Sequence, residues 1–116
     1  MGKLIELHDS QIDEVKVLSE GIAIAFKTLV VLDITDDLGF EFENTMYITG
    51  SFYLKKARYK SLPKQGDIYD GYLLTKELRY DLIPIDFVSS EPCTLCISQD
   101  SGEYLIFCEE IRVEAG

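Results

Sequence analysis

The sequence predicts a mainly β protein, a single small antiparallel β-barrel or β-sandwich, on three observations. Apolar and polar residues alternate with a period of two along most of the chain, and β-branched and aromatic residues dominate the alternating runs. Short turns, most of them bearing Gly, separate the runs every ten residues or so, the spacing of barrels and sandwiches. Side chains of an extended chain point to opposite faces in turn, so a beat of two buries one face and wets the other.

The elements follow in order. Val15 and Val17 alternate with polar neighbours, Ser19-Glu20-Gly21 turns, and Ile22, Ile24 and Phe26 alternate with Ala23 and Ala25. This is a hairpin whose Gly21 can take a positive φ, and the small alanines imply that something packs closely on their face. Leu29 to Ile34 continues in β-branched residues, Asp36-Asp37-Leu38-Gly39 supplies turn chemistry, and Phe40 and Phe42 resume, a second hairpin. From Thr45 to Tyr59 the parity separates Met46, Ile48, Phe52 and Leu54 from Tyr47, Thr49, Ser51, Tyr53 and Lys55, with Gly50 marking a bulge or bend.

Ser61 to Asp67 reads as a loop, because Pro63 lacks a donor and Gly66-Asp67 favours a turn. Leu74, Leu78 and Leu82 recur at helical spacing, while Gly71, Tyr69, Tyr72 and Tyr80 suit a strand; the expectation leans to a short helix or irregular excursion ending before Pro84. After Pro92, Cys93 to Ser98 and Glu103 to Cys108 flank Gln99-Asp100-Ser101-Gly102, a third hairpin, and Ile111 and Val113 close the chain.

With 116 residues the chain is the size of one domain, residues 1–116, and its 47% hydrophobic and 28% charged residues suit a globular protein rather than a disordered one. Twenty-one acidic residues against 11 Lys and Arg leave a net charge of −10. Such a chain repels phosphate backbones and anionic lipid, so neither nucleic acid nor membrane is expected as a partner. Solubility accounts for the charge, and steering toward a basic protein is its functional use. The start Met1-Gly2-Lys3-Leu4-Ile5-Glu6 has no signal-peptide core, and three cysteines make no secreted disulfide framework, which places the protein in the cytoplasm.

His8 is the only histidine, so Leu7-His8-Asp9-Ser10 is where imidazole chemistry or a ligand pocket would sit. Neighbours on a strand point to alternate faces and do not assemble a triad, which favours His8 packing at the strand entrance with Asp9 and Ser10 as turn formers. Cys93-Thr94-Leu95-Cys96 is one C-x-x-C; zinc would need two more ligands, for which Cys108 and His8 are the candidates. Residues three apart on a strand face opposite sides, so buried, inert thiols and no metal or cofactor are expected.

The acidic run Asp33, Asp36, Asp37, Glu41 and Glu43 misses the calcium-loop pattern, since Gly39 falls seventh from Asp33 and Asn44 twelfth. It is taken as a solvated hairpin tip and as the candidate partner-binding surface. Lys55, Lys56, Arg58, Lys60 and Lys64, interleaved with Tyr53 and Tyr59, could hold a single nucleic-acid strand. The acidic remainder opposes that, which leaves protection of a sheet edge or contact with an acidic surface of a second copy.

His8-Asp9-Ser10 followed by Ile12 and the hairpin at Gly21, with the closing Cys96-Ile97 strand, the Gly102 turn and Ile111-Arg112-Val113, resembles certain small, poorly characterised bacterial β-domains, some of them immunity proteins of bacterial toxin systems. The likeness covers the two ends of the chain and leaves out the middle, including Lys55 to Lys64. It implies a basic toxin domain as partner and carries over no catalytic residue.

The expectation is thus one barrel or sandwich of about seven to nine strands, with room for one short helix over Leu74 to Leu82. The function expected is a non-catalytic protein-interaction domain, plausible as an immunity-type protein, that binds a protein partner or forms a homo-oligomer. The alternative is a small-molecule-binding barrel or hydrolase with a pocket near His8.

Overall fold

Hydrophobic alternation over the first half of the chain produces three long strands. The computed structural model describes residues 3–32 and 46–116, with side chains described over 4–28 and 47–116. Strand β1 (Lys3–Leu18) turns through Ser19 and Glu20 into β2 (Gly21–Leu32), and β3 (Met46–Lys55) lies antiparallel to β2, Val30 facing Met46 and Gly21 facing Lys55. Ile22, Ile24 and Phe26 on β2 and Phe52 and Leu54 on β3 are buried, as their parity requires. The expected turn at Asp36 to Gly39 lies outside the described residues.

Eight shorter strands follow among the described residues: β4 (Gly66–Asp67), β5 (Asp70–Leu74), β6 (Arg79–Tyr80), β7 (Leu82–Ile85), β8 (Phe87–Ser89), β9 (Cys93–Gln99), β10 (Gly102–Cys108) and β11 (Glu110–Ala115). They complete a large sheet in the order β4-β1-β2-β3-β11-β8, with β7 also on β1, and a small sheet in the order β10-β9-β5-β6. Strands β7 and β8 reach opposite edges of the large sheet, pairing with β1 and β11 in separate ladders. The sheet therefore stays open, and the architecture is a sandwich rather than a closed barrel. The eleven described strands exceed the seven to nine expected because several are pieces of two to four residues that no periodicity can reveal.

No helix occurs among the described residues, which corrects the reading of Leu74 to Leu82. Leu74, Leu78 and Leu82 are 44%, 56% and 38% exposed and form no buried stripe. The Thr75 N–H and Oγ1 donate to the Leu78 carbonyl at 2.8 and 3.0 Å, and the Leu78 N–H donates back to Thr75 Oγ1 at 3.1 Å. That closed turn joins β5 to β6, with Leu74 opposite Arg79. The helical spacing was a coincidence of side chains on two strands and a turn.

Two glycines hold their places for room rather than for handedness. At Gly21, whose φ is not positive, a Cβ would meet the Leu54 carbonyl oxygen of β3 at 1.9 Å. At Gly50 a Cβ would stand 2.6 Å from the Glu114 carbonyl oxygen and 2.8 Å from Phe26 Cζ. The ladder runs through Gly50 without a register shift, so the expected bulge is absent there.

The irregularity lies in β1. Glu6 pairs with Leu29 and Gln11 with Lys27, which leaves Leu7 to Ser10 opposite Thr28 alone, and Asp9 takes φ 63°. Asp tolerates the left-handed region better than most residues. Ser10 and Thr28 turn inward, buried; their hydroxyls lie 2.5 Å apart, and each donates to the Glu6 carbonyl, at 2.5 and 2.7 Å. The bulge redirects β1, which pairs with β7 before it and β4 after it. The chain from Gly66 onward crosses here from the large sheet to the small one: the Ile68 N–H bonds the Ser10 carbonyl and the Tyr69 N–H bonds that of Ser98. Between the sheets lies the core, including Ile5, Leu7, Ile24, Phe52, Leu95 and Ile106, with the Phe26 and Phe52 rings 4.7 Å apart at 35°.

Candidate functional site

An antiparallel sheet with one face on the core normally turns polar residues to water on the other. The large sheet obeys. Its outward rows place Ala23, Tyr53 and Arg112 side by side, then Ala25, Ser51 and Glu114, with the Arg112 guanidinium 4.8 Å from the Tyr53 ring and bonded to Glu114 at 2.7 Å. Among the described residues no element covers the alanines; flanking side chains such as Glu14, Lys16 and Tyr53 form the walls of a shallow groove around them.

The small sheet does not obey. Leu73, Leu95, Ile97, Ile106, Cys93 and Cys108 face the core, so the alternate residues of β5, β9 and β10 face out. In register these are Leu105, Cys96 and Tyr72 in one row and Phe107, Thr94 and Leu74 in the next. Leu105 and Phe107 are 40% and 47% exposed. Glu103, Ser98 and Asp70 form an acidic row at one end, and Arg79, opposite Leu74, stacks its guanidinium 3.9 Å from the Tyr72 ring at the other. Cys96 is buried under this face; burial holds its thiol above the usual value, and its proximity pushes the Tyr72 hydroxyl up.

The edge beside this face is partly closed. Arg58 exchanges both backbone hydrogen bonds with Phe107 of β10, at 2.7 and 2.9 Å, and the Gln99 side chain clasps the backbone of Lys64 through two bonds. Within the basic segment, Lys55 ends the interior strand β3, and Arg58 occupies strand-pairing groups on the β10 edge of the small sheet.

At the pocket candidate the three residues do not converge. The exposed His8 donates from Nδ1 to the Tyr69 carbonyl at 2.5 Å and lies 3.4 Å from the Asp9 carboxylate, whereas Ser10 is buried against Thr28. The Tyr69 carbonyl, followed by Asp9, raises the His8 pKa above its ordinary 6.5. That shift stabilises a protonated ring in water. None of the four described grooves is lined by His8, Asp9 or Ser10.

The cysteines divide as strand parity requires, Cys93 toward the core and Cys96 outward. Their neighbourhoods contain no cluster of three or more metal-ligating side chains among the described residues. Cys93 instead stands directly across the ladder from Cys108, with 3.3 Å between the sulfurs. Sequence reasoning missed this pair, although a signal existed: Cys93 and Cys108 are equally distant from the turn pair Gln99 and Gly102. The proposed contact residues Asp33, Asp36, Asp37, Glu41 and Glu43 lie outside the described residues.

In comparisons with protein-family models, curated proteins and solved structures, nothing matches the chain. Among the described residues no helix is long and apolar enough to cross a membrane.

Proposed function

We propose that this protein is a non-catalytic protein-interaction domain that binds its partner through the outward face of the small sheet. The observation that carries the reading is the apolar surface of Leu74, Leu105 and Phe107 around Tyr72, on a face where an antiparallel sheet usually exposes polar side chains. Aromatic and aliphatic anchors inside a charged rim are the anatomy of a recognition surface. Here the rim is Asp70 and Glu103 at one end and Arg79 at the other. The net charge of −10 acts at longer range, raising the encounter rate with a basic partner, while the apolar centre slows its departure. Immunity-type blocking of a basic toxin domain is the narrower form of this proposal. It rests on the resemblance of the chain ends and on the charge, with Asp33, Asp36, Asp37, Glu41 and Glu43 as a second contact region.

The test compares affinity capture by the wild-type chain, by a Leu105→Lys/Phe107→Glu variant and by His8→Ala, with folding checked by circular dichroism and the mass of each free protein measured by light scattering. A partner retained by wild type and His8→Ala but lost from the face variant is the expected result. Capture unaffected by the face variant, or abolished by His8→Ala, would overturn the assignment and return attention to the ligand-binding alternative.

A further inference from the structure

We infer that Cys93 and Cys108 form a reversible redox site, closing to an intramolecular disulfide by exchange with a low-molecular-weight disulfide. The two residues are the last cross-strand pair of the β9–β10 hairpin, and residues directly opposite in an antiparallel ladder have Cα atoms about 4.5–5.5 Å apart, within the span a disulfide bridges. Their sulfurs are already 3.3 Å apart, so bond formation near 2.0 Å asks each to move by roughly half an ångström. Cys96 cannot take either place, since it faces the other side of β9.

Access and activation come from the surroundings. Both cysteines are buried, 5% and 4% exposed, and border an open groove of about 510 Å³ whose wall also carries Arg58, Lys76, Thr75 and Pro92. The two cations on the groove wall attract an anionic disulfide to it. Within the pair, the hydrogen bond from Cys108 lowers the Cys93 pKa and raises that of Cys108, whose thiol also lies 3.7 Å from the Cys93 carbonyl. With the Cys108 thiol directed at Cys93, the attack is assigned to the Cys93 sulfur. It gives its proton to solvent and attacks one sulfur of the reagent, whose S–S bond breaks and whose first thiolate leaves and takes up a proton. Cys108 then loses its proton, attacks Cys93 Sγ and expels the second thiolate, which is protonated in turn. Two protein thiols are oxidised by two electrons, and one disulfide is reduced to two thiols.

The experiment needs only the wild-type chain, reduced and then held with excess glutathione disulfide. Remaining thiols are alkylated under denaturing conditions before intact-mass measurement and peptide mapping. The inference expects a monomer with one alkyl group, at Cys96, and a mass two hydrogens below that of a singly alkylated dithiol, a Cys93–Cys108 cross-linked peptide, and three alkylated thiols after dithiothreitol. Cys96→Ala should form the same cross-link. Three free thiols after oxidation, a persistent glutathione adduct, a link through Cys96 or a link between two chains would each overturn it.

Discussion

Replacing Gly50 by Ala sets two opposing effects against each other, and the structure says which wins. Removing a glycine from the unfolded ensemble favours folding by about 0.4–1 kcal/mol when the native site accepts a methyl group. Here it does not. The new Cβ would lie 2.6 Å from the Glu114 carbonyl oxygen and 2.8 Å from Phe26 Cζ, well inside the ~3.5–4.0 Å of a comfortable carbon contact. Neither neighbour yields cheaply, because Glu114 belongs to the β3–β11 ladder and the fully buried Phe26 is held against Phe52. Overpacking of a close-packed core costs about 1–3 kcal/mol, so the net loss should be about 1–2 kcal/mol. In urea, with a slope of about 1–3 kcal/mol/M, the midpoint should fall by roughly 0.3–2 M at unchanged slope. Phe26→Leu removes the ring atom in conflict, so in a double-mutant cycle it should recover about 0.5–1 kcal/mol of coupling while the clash with Glu114 remains. A raised midpoint for Gly50→Ala, or strict additivity with Phe26→Leu, would refute the claim that this glycine is kept for space.

Thr28→Val keeps the side-chain shape but removes the hydroxyl that bonds the Glu6 carbonyl beneath the β1 bulge, and should cost about 1–2 kcal/mol in chemical denaturation. NMR titration should place the His8 pKa above 6.5. Because the folded value is the higher one, the stability it contributes is full below 6.5 and lost as pH rises through the folded pKa, and His8→Gln should remove that slope. A titration at or below 6.5 would show that the ring does not hold the Tyr69 carbonyl in solution. Closing a disulfide between residues 15 positions apart should stabilise the oxidised protein by about 3 kcal/mol against its dithiothreitol-treated form, measured by thermal melting. Leu105→Lys and Phe107→Glu, being exposed, should each change stability by about 0.5 kcal/mol or less, so any loss of binding reports the surface rather than the fold.

Much of the architecture was legible from residue order, and the failures were specific. The parity of Ile22, Ile24 and Phe26, and of Phe52 and Leu54, identified strands and their buried faces correctly, with Ile48 partly buried on the same side. The Asp100-Ser101 turn and its flanking strands were also readable. Leu74, Leu78 and Leu82 misled because a four-residue recurrence of leucines implies a helix only if one continuous face is buried. The bulge at Leu7 to Ser10 escaped notice because an insertion in a ladder is defined by the partner strand, and Thr28 lies far along the chain.

The candidate face illustrates the deeper division. Beyond Pro92, apolar residues occupy both parities: Leu95, Ile97, Ile106 and Cys108 on one, Cys96, Leu105 and Phe107 on the other. Periodicity could state that these segments are extended and paired through their turn, because pleating and turn chemistry are local. It could not state which side would be covered. That was decided by the strands crossing from the bulge of β1 onto β9, with Leu7 packed over Gly71, which sealed one side against the large sheet and left the other to water. Side-chain alternation is written into each strand, whereas the choice of which face to bury belongs to contacts between residues far apart in the chain.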